Sequence, residues 1–250
     1  MSRFLQEIIT DENLVWDKSL GNKPENFIVR LTSKTIDELK RNRKELKNLD
    51  KSNLPELKNE INELKITKIL HGVGLVIIDG KCFTDFSDEE VIEIYRNICK
   101  TLGTLLTQNI KNEKLVKVQY EEKSMQHGGR YHQSKEGGSF HTDSPHWEHV
   151  PDFVGLYCIN PAKKGGESKF VSVYSVHNKM LKEHKHFLEM LYQQFHFDKR
   201  RGEYEPGKSL TSVKPIFTYN SNQLKCRYLR DYLNDGHKIQ NIPLSKEQNE

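Results

Sequence analysis

Gly137-Gly138-Ser139-Phe140-His141-Thr142-Asp143-Ser144-Pro145 sets a histidine and an aspartate two residues apart, between paired glycines and a proline. On an extended segment, residues i and i+2 project to the same face. His141 and Asp143 can therefore approach one metal ion from one side with two ligand types, an imidazole nitrogen and a carboxylate oxygen. With one further histidine from elsewhere, such a pair completes the two-His-one-carboxylate triad that holds non-haem Fe(II) and leaves coordination positions open.

The pattern alone is loose, because His146-Trp147-Glu148 and His196-Phe197-Asp198 satisfy it too. His196-Phe197-Asp198 follows a helical pattern and precedes Lys199-Arg200-Arg201-Gly202, which predicts a surface loop. His146-Trp147-Glu148 lies in the loop after Pro145, near His149 and Pro151, where it could line a pocket mouth. For His141 and Asp143 themselves the alternative is a hydrogen-bonded surface pair. Flanking sequence has to choose.

A chain of 250 residues is long enough to bury a sizeable core as one domain, with or without an extension. Charged residues make up 30%, mean hydropathy is −0.77, and the net charge of +4 is spread along the chain. That balance admits anionic ligands but carries none of the clustered basic charge that marks a nucleic-acid partner. Cys82, Cys99, Cys158 and Cys226 are far apart and form no C-x-x-C pair. Neither a zinc site nor a redox motif is indicated, and free, mostly buried thiols in a reducing cytoplasm are expected. The N-terminus shows no apolar signal-peptide core, and no apolar run approaches the roughly 18 residues that span a bilayer.

Residues 1–70 read as an N-terminal helical region, with a short strand at 27–31 and two amphipathic helices between 35 and 70. Ile36, Leu39, Leu46 and Leu49 lie at helical spacing, as do Leu54, Leu57, Ile61 and Leu64. Pro55 punctuates the pair, with Ser52 or Asn53 as cap. The hydrophobic seam is too short and broken for a coiled coil. Gly72-Val73-Gly74-Leu75-Val76-Ile77-Ile78-Asp79-Gly80 predicts a buried strand. Its glycines precede the strand, whereas a dinucleotide-binding loop follows one. Residues 85–105 read as helix, with Ser87 and Glu90 as a capping box and Gly103 as its stop. Beyond 115 the texture changes to strands at 115–120, 153–159, 169–174, 216–219 and 224–229, with a helix over 176–195. Helices first and strands later predict a mainly β core, residues 71–250, behind a helical layer.

Four segments in order resemble the taurine-dioxygenase-like branch of the Fe(II)/2-oxoglutarate-dependent oxygenases. They are the glycine-flanked strand at 72–80, and Gly129-Arg130-Tyr131-His132-Gln133-Ser134 followed by Phe140-His141-Thr142-Asp143-Ser144-Pro145. Then come Pro151-Asp152-Phe153-Val154-Gly155-Leu156-Tyr157-Cys158 and the double-glycine turn Gly165-Gly166-Glu167-Ser168-Lys169-Phe170-Val171-Ser172. The resemblance covers 70–180 best. It implies a double-stranded β-helix, or jelly roll, with His141 and Asp143 as iron ligands and 2-oxoglutarate and O₂ as co-substrates. Ser168 falls where the family's hydroxyl contacts a 2-oxoglutarate carboxylate. Arg130 and Gln133 are candidates to face the substrate, and Arg227 to meet an anionic group on it. The implied activity is oxidation, usually hydroxylation, of a small molecule such as an amino acid or a natural-product intermediate.

The same resemblance calls for a late histidine as third ligand and, beyond it, an arginine that clamps the far carboxylate of 2-oxoglutarate in a bidentate grip. Only His237 is late enough, in the turn-like Asn234-Asp235-Gly236-His237-Lys238, and no arginine follows it. Residues 244–250 read as a beginning helix with Ser245 as cap. The expectation is a barrel whose C-terminal part lies outside this chain. The competing expectation is a degenerate or truncated jelly roll that binds a ligand without catalysis.

Overall fold

A computed structural model describes residues 3–47, 53–109, 111–119, 138–199 and 209–249. They form two compact units. One comprises Thr10–Leu105 with Gly155–Gly165, and the other Met1–Ile9, Leu106–Val154 and Gly166–Glu250.

The first unit is mostly helical. Strand β1 (Ile28–Val29) pairs in parallel with β2 (Ile77–Ile78), so the predicted strands at 27–31 and 72–80 contract to two residues each. Helix α1 (Ser33–Arg41) starts at Thr32, whose hydroxyl accepts from the Thr35 amide, and ends on Lys40 and Arg41, which suit the negative end of the helix dipole. Helix α2 (Pro55–Leu64) begins with proline at its first position, as predicted, but the residue before it is Leu54, which offers no capping side chain. The cap comes from the other helix. The buried Glu38 carboxylate on α1 accepts from the Glu56 and Leu57 amides at 3.0 and 2.9 Å. In return, Glu60 on α2 accepts from the Thr32 amide at 2.9 Å, ahead of α1, and from the hydroxyls of Thr32 and Thr35. Each helix thus neutralises the open N–H groups of its partner, which a helix cannot satisfy internally.

A π-helical turn (Lys65–Leu70) continues α2 and leads to Gly72. A Cβ there would stand 2.5 Å from the Thr67 carbonyl oxygen, so this close return needs glycine. Helix α3 (Asp88–Leu102) carries the predicted capping box in full, with the Ser87 amide donating to Glu90 at 2.8 Å and the Glu90 amide donating to Ser87 Oγ. Gly103 follows its last residue, as expected. Leu39, Leu57, Ile61 and Ile94 are the buried centre of this unit's core.

The second unit is mixed. Ser172 caps α4 (Val173–Glu183), which is followed by α5 (Lys185–Met190). Strand β3 (Gln194–Asp198) pairs antiparallel with β4 (Thr211–Pro215). Strands β5 (Phe217–Asn220) and β6 (Gln223–Cys226) form a hairpin with Phe217 opposite Cys226. Its turn residues Ser221 and Asn222 both have positive φ, 50° and 61°, as a two-residue type I′ connection requires. Helix α6 (Arg230–Ile239) lies against β3, and Ser245 caps a short α7 (Lys246–Asn249), as predicted. Phe195, Phe197, Leu188 and Leu233 form the centre of this core.

Several strand expectations are corrected. Residues 115–119 are irregular, and Tyr120 lies outside the described residues. Residues 153–159 form neither strand nor core, with Leu156 72% exposed. Residues 169–172 form neither helix nor strand, and 173–174 already belong to α4. Apolar alternation marks what a strand would bury, but a strand also needs a neighbouring edge to satisfy its backbone. No such edge pairs with these segments among the described residues. The mainly β reading is therefore replaced, for the described residues, by a mixed architecture of helices with three two-stranded sheets and no closed barrel. The cysteines are free, but Cys158 is exposed and Cys82, Cys99 and Cys226 only part-buried, against the expectation of buried thiols.

Two substitutions test this packing. Glu38→Ala removes the acceptor of one buried and one part-buried amide and is expected to destabilise the chain by about 2–3 kcal/mol, read from urea unfolding by circular dichroism. Gly236→Ala in α6 would ordinarily stabilise a helix by about 1 kcal/mol. Here the added Cβ would lie 2.3 Å from the His196 carbonyl oxygen of β3. A net loss of about 1–3 kcal/mol is expected instead, and an unchanged or raised unfolding midpoint would contradict the close contact.

Candidate functional site

His141, Thr142 and Asp143 lie in an irregular segment of the second unit, with no regular element of their own. Two features give the segment a shape. Ser144 takes a left-handed φ of 48°, and the Trp147 amide closes a turn on the Ser144 carbonyl at 3.0 Å. The Thr142 amide donates to the Tyr228 carbonyl at 2.7 Å, and the Tyr228 amide donates to Thr142 Oγ1 at 2.9 Å.

The His141 and Asp143 side chains meet, with Nε2 of the imidazole 3.8 Å from Oδ1 of the carboxylate. Both are partly exposed, at 31% and 49%, and so accessible to a solute. The other ring nitrogen of His141, Nδ1, is 2.7 Å from the Ser139 carbonyl oxygen. A carbonyl can only accept, so Nδ1 carries a hydrogen; in the neutral ring, Nε2 is then the nitrogen with the lone pair. Such backbone anchoring of one nitrogen is the usual arrangement behind a metal-binding histidine. Donors about 2.1 Å from a shared ion lie no more than roughly 4.2 Å apart. The observed separation lies within that limit. Among the described residues, no group of three or more His, Cys, Asp or Glu side chains gathers as a metal centre.

The other candidates are distributed as follows. Arg227 immediately follows β6, and its Nη1 donates to the carbonyls of Pro145 and Trp147 at 2.9 and 2.8 Å. Burial lowers its pKa, and the nearby Glu148 carboxylate opposes that shift. Ser168 is exposed on an irregular segment, two residues after Gly166, whose φ is +80°. Arg130 and Gln133 lie outside the described residues. The structure thus brings His141, Asp143 and Arg227 to one loop and places Ser168 on a separate segment.

The two competing His-x-acid patterns also resolve. His146 is buried, packing its ring edge-on to Trp147 and tilted against Tyr232 of α6. Glu148 points away into an ion pair with Lys214, whose hydrogen bond and charge hold the Glu148 carboxyl below its usual range. His196-Phe197-Asp198 is no surface loop. It is the C-terminal part of β3, with Phe197 and Asp198 buried. The short polar context suggested exposure, but Phe195 and Phe197 share a face that α6 covers. His237 also departs from its turn reading, since it sits within α6 and is buried. Its Nε2 accepts the His196 amide at 3.1 Å, and its Nδ1 donates to the Ile242 carbonyl at 2.8 Å. Both ring nitrogens are therefore engaged, Nε2 with β3 and Nδ1 with the chain just beyond α6. Sequence reasoning passed over Thr142 and Tyr228. The only available signal for Thr142 was a β-branched hydroxyl between two ligand types.

Residues 37–249 match the protein family described as "Taurine catabolism dioxygenase TauD, TfdA family". FR-33289 synthase of Streptomyces rubellomurinus (strain ATCC 31215) is 29% identical over 174 residues, which cover 68% of this chain and 49% of that protein. The matched stretch therefore spans about half the length of that curated relative.

The histidines make the stability of the second unit pH-dependent. Burial holds His177 below its ordinary 6.5, and burial followed by the charge of His237 does the same to His196. The unfolded chain then binds protons that the folded chain resists, so stability is full above pH 6.5 and falls as pH drops toward the depressed folded values. The melting temperature is expected to fall between about pH 7 and pH 5. His177→Gln should flatten part of that slope, and an unaltered slope would remove His177 from the account.

Proposed function

The chain belongs to the TauD, TfdA family of dioxygenases, and from that premise we propose that it is a non-haem Fe(II)/2-oxoglutarate-dependent dioxygenase acting on a small molecule, with His141 and Asp143 as two of the iron ligands. The observation that carries the reading is the meeting of His141 Nε2 and Asp143 Oδ1 at 3.8 Å, with Nδ1 anchored on a backbone carbonyl. When bound, iron together with 2-oxoglutarate and O₂ supplies the oxidising power that converts a substrate C–H bond, with 2-oxoglutarate leaving as succinate and CO₂.

The chain's own residues orient and bind. The Ser139 carbonyl keeps the hydrogen on Nδ1 of His141 and so keeps the Nε2 lone pair available for coordination. Asp143 adds a negative charge that favours a divalent cation over a neutral ligand. Ser168 has a hydroxyl suited to donate to a carboxylate oxygen of 2-oxoglutarate, and Arg130 and Gln133 are the proposed substrate-facing residues. Arg227 keeps its charge beside the loop and could neutralise an anionic substrate group. A biosynthetic small molecule, such as an amino acid or a natural-product intermediate, is the proposed substrate class, and the relative's being a synthase supports it. No described helix is long and apolar enough to cross a membrane. The cytoplasm is the proposed location.

The test is optical and anaerobic. Adding Fe(II) and 2-oxoglutarate to the purified chain is expected to give a visible metal-to-ligand absorption band, which His141→Ala and Asp143→Ala abolish. Succinate formation in air should follow the same pattern. A chain with no band and no succinate supports the non-catalytic ligand-binding reading instead. A band that survives both substitutions would assign the iron elsewhere.

A further inference from the structure

The structure assigns Thr142 and Arg227 as positioning residues that hang the His141–Asp143 pair from the β5–β6 hairpin. This rests on the reading of that pair as iron ligands.

The chain of contacts starts in the core. Ile216 and Phe217 are 4% and 2% exposed, at the start of β5. The Arg227 amide donates to the Ile216 carbonyl at 2.9 Å, which extends the hairpin pairing one step past β6. Residues 227 and 228 are therefore fixed as backbone before they touch the loop. Tyr228 then bonds Thr142 through both of its main-chain groups, its amide donating to the hydroxyl and its carbonyl accepting from the Thr142 amide and, at 3.5 Å, from the hydroxyl. In a strand pair both acceptors would be carbonyls. Here the Thr142 hydroxyl takes the place of one of them, so the loop is bridged to the hairpin without joining its ladder.

The bridge holds the residue that lies between the pair. Thr142 is engaged by Tyr228, while the side chains of His141 and Asp143 on either side of it meet each other at 3.8 Å. Thr142 is β-branched, so its χ1 is restricted and the hydroxyl holds its place at little entropic cost. Arg227 fixes the far side of the same loop. A single guanidinium nitrogen gathers the carbonyls of Pro145 and Trp147, which flank the turn after Asp143. Held at Thr142 on one side and at 145–147 on the other, Asp143 and the left-handed Ser144 have few alternative conformations.

The test uses the purified chain with Co(II) alone as the probe, titrated anaerobically and read by its visible ligand-field absorption. His141→Ala defines the signal that belongs to the pair. Thr142→Val keeps the shape and branching but removes the acceptor of the Tyr228 amide. It is expected to weaken His141-dependent Co(II) binding by about 10-fold or more, as losses behind a metal ligand do, and to alter the band shape. Thr142→Ser, which restores the hydroxyl, should return both. Arg227→Gln should weaken binding in the same direction. A metal-free measurement stands beside it, in which hydrogen exchange of the Tyr228 amide is faster in Thr142→Val than in the wild type and in Thr142→Ser. His141-dependent uptake that survives both Thr142→Val and Arg227→Gln overturns the positioning role and leaves the iron-site reading intact. Co(II) uptake that His141→Ala does not reduce overturns the iron-site reading, and the positioning role with it.

Discussion

The backbone bridge between Thr142 and Tyr228 is the constraint on which the proposed metal pair depends. The segment around His141 has no helix or strand of its own to hold it. A loop whose conformation is not fixed loses its ordering entropy again whenever it must present two ligands together. The second unit meets this cost by fixing the segment after β6 through the hairpin, and then using that segment as the support for the loop. A hydroxyl in place of a strand carbonyl is what allows support without burial of His141 and Asp143.

Hydrogen bonds to charged or ring groups do the equivalent work elsewhere. In the first unit Glu38 and Glu60 each serve the helix opposite to their own, so α1 and α2 are fixed in register by five amide or hydroxyl donors and not only by Leu39 and Leu57. In the second unit His237 joins the β3 backbone to the chain beyond α6, and Gly236 allows the helix to come against the strand. In both places a polar group is buried because it satisfies backbone that the local element leaves open.

This division of labour sorts the histidines. His237, His177 and His146 are buried among aromatic rings and serve the fold. His141 alone of these four remains partly exposed with a carboxylate beside it. The three His-x-acid patterns, identical as strings, thus lead to a loop pair, a buried ring and a strand interior.

Sequence alone determined what local chemistry determines. The Ser87–Glu90 capping box, the stop at Gly103, proline at the start of α2 and the Ser245 cap are set by contacts within four residues, and each stands as read. The strands at 216–219 and 224–229 were legible from local composition, but their pairing as a hairpin across Ser221 and Asn222 was not. The His141–Asp143 pair was legible because i and i+2 share a face wherever the backbone is extended. Tertiary structure decided everything whose partner lies far along the chain. Residues 153–159 and 169–172 have strand-like sequences but find no pairing edge among the described residues. Glu38 replaced the expected local cap of α2 from 18 residues away. Arg227 and Tyr228 came to the His141 loop across more than 80 residues, a distance over which no periodicity or spacing carries information. Only folding could show that the threonine between His141 and Asp143 is bonded to the segment after β6.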